Sequence, residues 1–407
     1  MFFIDTHAGL PSHRALLFIS CLLVANFFMA DAFAQVPSQS ESDDPTLVQR
    51  LTQGKKDIAS ANMDIQFASS GAGEFTDWSL DEFSFNVDRV RLDINGKFGD
   101  RFSYNFRQSF NKYTNMNVPV DNLKGNLELA NVGWQVNDWF HLTVGKQATQ
   151  FSGYEYWVNA IQVRDYSDFC STLPAYMTGM NMAFALNQTQ TINLQLVNSR
   201  LGGLTDDFAH TLPEATEDTK LPVLATANWD GNFIDNALKL RYSLTFGQQA
   251  KNKNVFYFTS GHVWKKKPIL AYVDFMFSRQ ALDYKGYISE CTSTSGETHT
   301  LQHVDYFTTI ANIDYRLSKH WNVYAKGTYE QGNIYRSDDE VQAGTYRKVW
   351  DMQLCAEYFP MPKKDLLLYL HLMYKHAHLT DRAKAWGADG YNQQRISFGL
   401  VYTLPVF

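Results

Sequence analysis

The sequence predicts an all-β fold, a single transmembrane antiparallel up-and-down β-barrel of about sixteen strands. Three observations predict it. From Ile58 onward apolar and polar residues alternate with a period of two, the connections between the alternating segments are short and long in turn, and the chain opens with an export signal. Composition removes the competitors. A polytopic helical membrane protein needs repeated apolar runs of about 20 residues, and these 407 residues hold one such run, at the start. A disordered chain lacks aromatics, whereas 15% of this one is Phe, Trp or Tyr. With a pI near 6.0 and no dominant Lys/Arg block, no nucleic-acid partner is expected.

Residues 1–34 read as a cleaved signal peptide. His13 and Arg14 precede an apolar run from Ala15 to Ala30, and Ala32-Phe33-Ala34 supplies the small residues that a signal peptidase accommodates. A retained N-terminal anchor is the other reading, but the run is short and polar sequence follows it. Cys21 is followed by Leu22 and Leu23 and is not read as a lipid-modified cysteine. Residues 35–57 form a polar periplasmic N-terminal segment, and 58–407 form the barrel.

Within the barrel, Trp321, Val323, Ala325 and Tyr329 share one face of a strand while Asn322, Tyr324, Lys326 and Thr328 share the other. Such a strand lies between an apolar and a polar medium. The same reading gives strands at 58–69, 83–97, 102–112, 125–136, 139–147, 176–187, 190–199, 222–229, 236–248, 253–263, 268–279, 303–317, 321–333, 347–360, 366–378 and 394–407. Several match the length that crosses a bilayer at a tilt. Short connections such as Asn137-Asp138 alternate with long polar ones at 70–82, 113–124, 148–175, 200–221, 280–302, 334–346 and 379–393, and 249–252 is a short exception on that rim. Tight turns on one rim and long loops on the other are the asymmetry of an outer-membrane barrel. A soluble β-sandwich, the competing fold, has shorter strands and no such order of loops.

Phe102, Tyr104, Trp134, Trp139, Phe140, Trp229, Trp321, Tyr358, Tyr402 and Phe407 lie near strand ends, where amphipathic rings suit a lipid–water boundary. The closing strand alternates Ile396, Phe398, Leu400, Tyr402 and Leu404 before the terminal Phe407, which resembles the signal read by the outer-membrane barrel-assembly machinery. Beyond the signal peptide three cysteines remain. Cys170 and Cys291 fall in loop-like sequence, so a bridge between them is one reading and free thiols the other; Cys355 lies inside a strand.

Phe85 to Phe98 (FNVDRVRLDINGKF), Trp139 to Lys146 (WFHLTVGK) and the closing Arg395 to Phe407 make the chain similar to the phosphate-selective porin O and P family, in the form common in the Bacteroidota. Members carry an aromatic and a proline after the Gly-basic pair; here Gly145-Lys146 is followed by Gln147-Ala148-Thr149-Gln150-Phe151. The resemblance implies a porin of the Gram-negative outer membrane, surrounded by lipid, passing small hydrophilic solutes and forming a homotrimer.

Sixteen strands leave a water-filled lumen, so the inward residues set function. Alternation aims Arg91, Arg107, Lys239, Arg241, Arg316, Lys326, Lys375 and Arg395 inward, and Arg89 joins them if a β-bulge near Asp88 shifts the phase. With Arg164 in the third long loop, these bases are candidate pore-lining, anion-facing residues for phosphate or another anion. The same rule turns Asp64, Asp93, Glu128, Asp274, Asp314, Glu330, Asp351 and Glu357 inward, so a paired, hydrated lining is the second reading. The loop 148–175, with Tyr154, Tyr156, Trp157, Asp165, Tyr166, Asp168 and Phe169, either narrows the channel, as the third loop does in general porins, or lies outside it.

No enzyme activity is expected. His371, His376 and His378 share one strand with Ser397 on the next, but His376 points outward and no G-x-S-x-G turn is present. No cofactor is expected, and no metal spacing. A non-conducting barrel acting as adhesin or structural protein is the alternative function.

Overall fold

The computed structural model describes residues 59–110, 126–158, 163–293 and 298–406. The expected export signal 1–34, the expected periplasmic segment 35–57 and Phe407 lie outside the described residues. Sixteen strands form one closed antiparallel barrel, each paired with its neighbours in sequence and the first with the last. They are β1 Ala59–Thr76, β2 Ser79–Phe98, β3 Phe102–Ser109, β4 Leu127–Asn137, β5 Phe140–Ala148, β6 Tyr176–Asn187, β7 Gln190–Asn198 and β8 Val223–Phe233. The circuit continues with β9 Leu238–Ala250, β10 Lys253–Lys266, β11 Ile269–Leu282, β12 Gln302–Arg316, β13 Trp321–Ile334, β14 Gly344–Tyr358, β15 Leu366–Leu379 and β16 Tyr391–Pro405. Closure runs from Asp64 opposite Pro405 to Thr76 opposite Gln393. No helix of the described residues is long and apolar enough to cross a membrane. The strands do that instead, and closing the sheet pairs the backbone groups that lipid would leave unsatisfied.

The two media set the alternation. On β9, Tyr242, Leu244 and Phe246 are exposed on the outer face while Ser243 and Thr245 are buried toward the lumen. Outward rings pack between neighbouring strands near the short-turn rim, Phe102 stacked on Trp134 (6.2 Å between centroids) and Trp321 tilted against Tyr358 (4.8 Å). The bulge is in β2: Ala68 pairs with Arg89 but Ser70 with Asn86, so β2 carries one extra residue there. The apolar phase passes from Phe85 and Val87 to Val90 and Leu92, and Arg89 and Arg91 face inward.

One segment departs from the sequence reading. Residues 70–82, expected as a long polar loop, are continuous strand joined by a tight turn at Asp77 (φ 49°) and Trp78 (φ 66°). Ser69-Ser70-Gly71-Ala72-Gly73 reads as a loop because glycine has low strand propensity. Here rings cover the glycine: a Cβ on Gly71 would lie 2.7 Å from Cζ of Phe398 and 3.0 Å from Cε1 of Phe85. The turn is held to β16, where Asp77 N donates to Asn392 O (3.0 Å) and Trp78 N to Gln394 Oε1 (3.0 Å). Cys170, Cys291 and Cys355 are all free and buried, so Cys170 and Cys291 are not bridged.

Candidate functional site

The lumen is divided by the third loop, residues 149–175, of which 159–162 lie outside the described residues. This loop folds inward. Phe151, Phe169 and Leu173 of the loop, with Met177 of β6, are buried against Val255, Tyr257, Val263, Tyr272, Met276 and Ile310 on the lumen side of β10, β11 and β12. A water-facing wall would carry polar residues there; each apolar side chain buried under the loop contributes about 1.5–3 kcal/mol to docking. Two short helices shape the loop, α1 (Tyr154–Trp157) and α2 (Asp168–Thr172). Gly153 lets the chain pass close to β11, since a Cβ there would sit 2.4 Å from Cγ of Asp274. Asp274 Oδ2 then accepts from the Glu155 N–H (2.7 Å), and Ser167 Oγ caps α2 by accepting from the Cys170 N–H (3.2 Å).

Charge bolts the loop to β13–β16. Glu155 pairs with Lys326 of β13 (2.7 Å) and accepts from Ser167 Oγ (2.7 Å). Asp168 pairs with both Arg347 of β14 (2.7 Å) and Lys375 of β15 (2.6 Å). Asp165 pairs with Arg395 of β16 (2.7 Å), which also reaches Glu74 (2.8 Å), and lies 3.6 Å from His371. In the opposite sense, Glu330 of β13 accepts the N–H groups of Asp168 (3.0 Å) and Phe169 (3.1 Å), and Arg164 reaches Glu357 of β14 (3.3 Å). Burial alone would raise the Asp168 carboxyl, but Arg347 and Lys375 outweigh it and hold the group well below the usual carboxylate range. Behind the loop, burial pushes Lys285 down to about 8, and its Nζ donates to the carbonyls of Asp168 and Phe169 (2.8 Å each).

These pairings sort the bases that alternation aims inward. Arg91 meets Glu128 (3.4 Å), Arg107 donates to Asp93 (2.7 Å), and Arg241 donates to Asp230 (2.8 Å) and to Gln150 O (2.9 Å). Lys326, Lys375, Arg395 and Arg164 belong to the loop clamp. Arg89, Lys239 and Arg316 all border the lumen cavities, and among the described residues none has a carboxylate within ion-pair distance. Arg316 instead lies 3.9 Å over the Phe359 ring and donates to Lys319 O (2.8 Å).

Two chambers remain on either side of the loop. The one near the long-loop rim, about 820 Å³, is bordered by Arg89, Arg107 and Lys146 and by Glu128, Asp206 and Asp207, a balanced set. Burial raises Asp207 to about 6. The one near the short-turn rim, about 760 Å³, has Arg164, Lys265, Lys267, Arg316, Lys319 and Lys326 against Asp314 and Glu357. Two of its cations are clamp members; Lys265, Lys267, Arg316 and Lys319 are left facing Asp314. Trp157 borders both chambers and a third space of about 250 Å³ beside Lys239 and Arg241. The sequence reading missed Glu155 and the short-turn lysines. The run Lys265-Lys266-Lys267 on a tight turn was the available signal for the lysines; nothing local marked Glu155.

The family model for phosphate-selective porin O and P matches residues 67–404. No curated protein sequence matches the chain. Among solved structures, the outer membrane channel DcaP of Acinetobacter baumannii aligns with 86% of this chain and 98% of its own at 11% identity, TM-score 0.58. OmpF of Salmonella typhi in complex with daunomycin aligns with 84% of this chain and 97% of its own at 9% identity, TM-score 0.55. The anion-selective porin from Comamonas acidovorans aligns with 85% and 99% at 9% identity, TM-score 0.54. At these identities the likeness is one of fold.

Proposed function

This chain belongs to the phosphate-selective porin O and P family, and from that premise we propose that its channel passes small anions in preference to cations, with the selecting charge near the periplasmic end. The protein is an outer-membrane channel of a Gram-negative bacterium for small hydrophilic solutes. Short turns of outer-membrane barrels face the periplasm, so the chamber with the cation excess opens there. The observation that carries the reading is the set Lys265, Lys267, Arg316 and Lys319 around a 760 Å³ chamber with Asp314 as the carboxylate left to oppose them. Paired charges cancel at a distance, whereas unpaired ones raise the local concentration of the opposite ion. A solved structure of the same fold is described as an anion-selective porin, in keeping with that direction. Single channels in a planar bilayer under a KCl gradient test it. The expected chloride-to-potassium permeability ratio exceeds one; a ratio of one or below rejects the anion preference and leaves the channel.

We also infer that residues 1–34 are removed on export, so that intact mass of the protein from outer membranes fits a start at Gln35. Phe407 is assigned to recognition by the barrel-assembly machinery, and its deletion should lower the outer-membrane level. A homotrimer is the expected assembly, read by light scattering in detergent. No catalysis is assigned. His371 is buried against Gln353 (3.3 Å), whereas His376 stacks on the outward Trp350 (5.8 Å), so the two do not converge.

A further inference from the structure

The periplasmic chamber has two kinds of wall. Toward the short-turn rim it presents the unpaired cations Lys265, Lys267 and Arg316, and deeper in, where the third loop seats on β11, it presents Tyr154, Trp157 and Tyr272. The aromatic side is held in place: the rings of Tyr154 and Tyr272 lie 5.2 Å apart, and the Arg241 guanidinium sits 4.2 Å from the Trp157 ring. Trp157 remains 37% exposed although it lies in the middle of the lumen. A wet pore for inorganic ions gains nothing from an exposed indole there. A small, strongly hydrated dianion such as phosphate is best gripped by forked guanidinium donors. Here the free cations are chiefly lysines, point charges set around a space wide enough for an organic molecule.

We propose that this chamber is a binding site for aromatic carboxylates, with the ring against Trp157 and the Tyr154–Tyr272 wall and the carboxylate toward Lys265, Lys267 and Arg316. The inference rests on the channel reading and names the class of anion. An arene against an indole already polarised by a guanidinium gains stacking that acetate cannot make, worth roughly threefold to tenfold in affinity.

The test uses the full-length protein in planar bilayers, with benzoate, acetate and inorganic phosphate added separately to the periplasmic side in KCl. The readout is the concentration that halves the open-channel current. Benzoate should act at a concentration severalfold below acetate and phosphate. Trp157→Ala should bring the benzoate-to-acetate ratio to about one, and Trp157→Phe should restore most of the difference. Lys265→Gln with Lys267→Gln should weaken benzoate and acetate alike and keep their ratio. Equal half-block concentrations in the natural protein, or a ratio unmoved in Trp157→Ala, overturn the site; stronger block by phosphate does so in favour of a phosphate filter. If no current flows in KCl alone, the channel reading fails separately. Calorimetric titration of the detergent-solubilised protein with benzoate and acetate then decides the site, and equal heats reject it.

Discussion

The two chambers share one loop and differ in what their charges do. Around the external chamber Arg107 is matched to Asp93, and Arg91 just behind it to Glu128, both within the barrel wall, and Arg89, left over among the described residues, shares the chamber with the carboxylates of Asp206 and Asp207. Around the periplasmic chamber the partnered cations, Arg164 and Lys326, are tied up in holding the loop, and the remaining lysines and Arg316 face water. Counting inward bases treats both regions alike. Pairing separates them, because an ion pair presents little net field beyond a Debye length while an unpaired cation presents a full charge.

The largest effect should come from breaking the clamp that divides the chambers. Asp168→Asn leaves Arg347 and Lys375 buried without their counter-charge, a loss of about 3–5 kcal/mol in the docking of the loop. The expected outcome is a higher single-channel conductance and cleavage of the third loop by added protease. Unchanged conductance with a protected loop would show that the apolar contacts of Phe151 and Phe169 suffice.

Acid should do part of the same. The Asp168 carboxyl titrates lower in the folded protein than in the unfolded chain, so the stability it lends is complete above about pH 4 and declines as pH falls below that. Conductance corrected for bulk ion mobility and for the loss of the Asp207 charge near pH 6 should stay level from about pH 7, where Lys285 is charged, to pH 5 and rise only in stronger acid. A rise already complete at pH 5 would place the controlling group elsewhere.

Selectivity sharpens the comparison at smaller cost to the fold. Neutralising Lys265, Lys267, Arg316 and Lys319 to glutamine should move the chloride-to-potassium ratio toward one. The paired change Arg91→Gln with Glu128→Gln removes as many charges from each sign and should leave the ratio where it was. Equal shifts from both sets would mean that pairing does not silence the external wall.

How much of this was legible follows from which forces act locally. Lipid outside and water inside act on every residue of a strand, so Leu240, Tyr242, Leu244 and Phe246 announce themselves, and even the bulge in β2 shows as a change of phase. The run from Ser69 to Gly73 was misread because its strand identity comes from Phe398 and Phe85 lying over the glycine, which composition does not record. The clamp was least legible. Arg395 meets Asp165 across 230 residues of sequence and Lys326 meets Glu155 across 171, and the loop that brings the acids has no period. Sequence placed the bases on the right face; only the fold decided which are spent on structure.

Two glycines give the finest comparison, between the lipid face and the lumen. A methyl at Gly71 would meet the end of the Phe398 ring at 2.7 Å, but that ring and Phe85 face lipid and can swing aside. Gly71→Ala should therefore cost about 1 kcal/mol, seen as a small drop in the urea midpoint with conductance intact. A methyl at Gly153 would meet Asp274 at 2.4 Å, and that carboxylate is fully buried and fixed by the Glu155 N–H. The clash cannot be relieved without moving the loop, so Gly153→Ala should alter conductance even where the barrel's urea midpoint barely changes. If both substitutions shift only the midpoint, the loop is not seated on β11 in the way that the Asp274 contact requires.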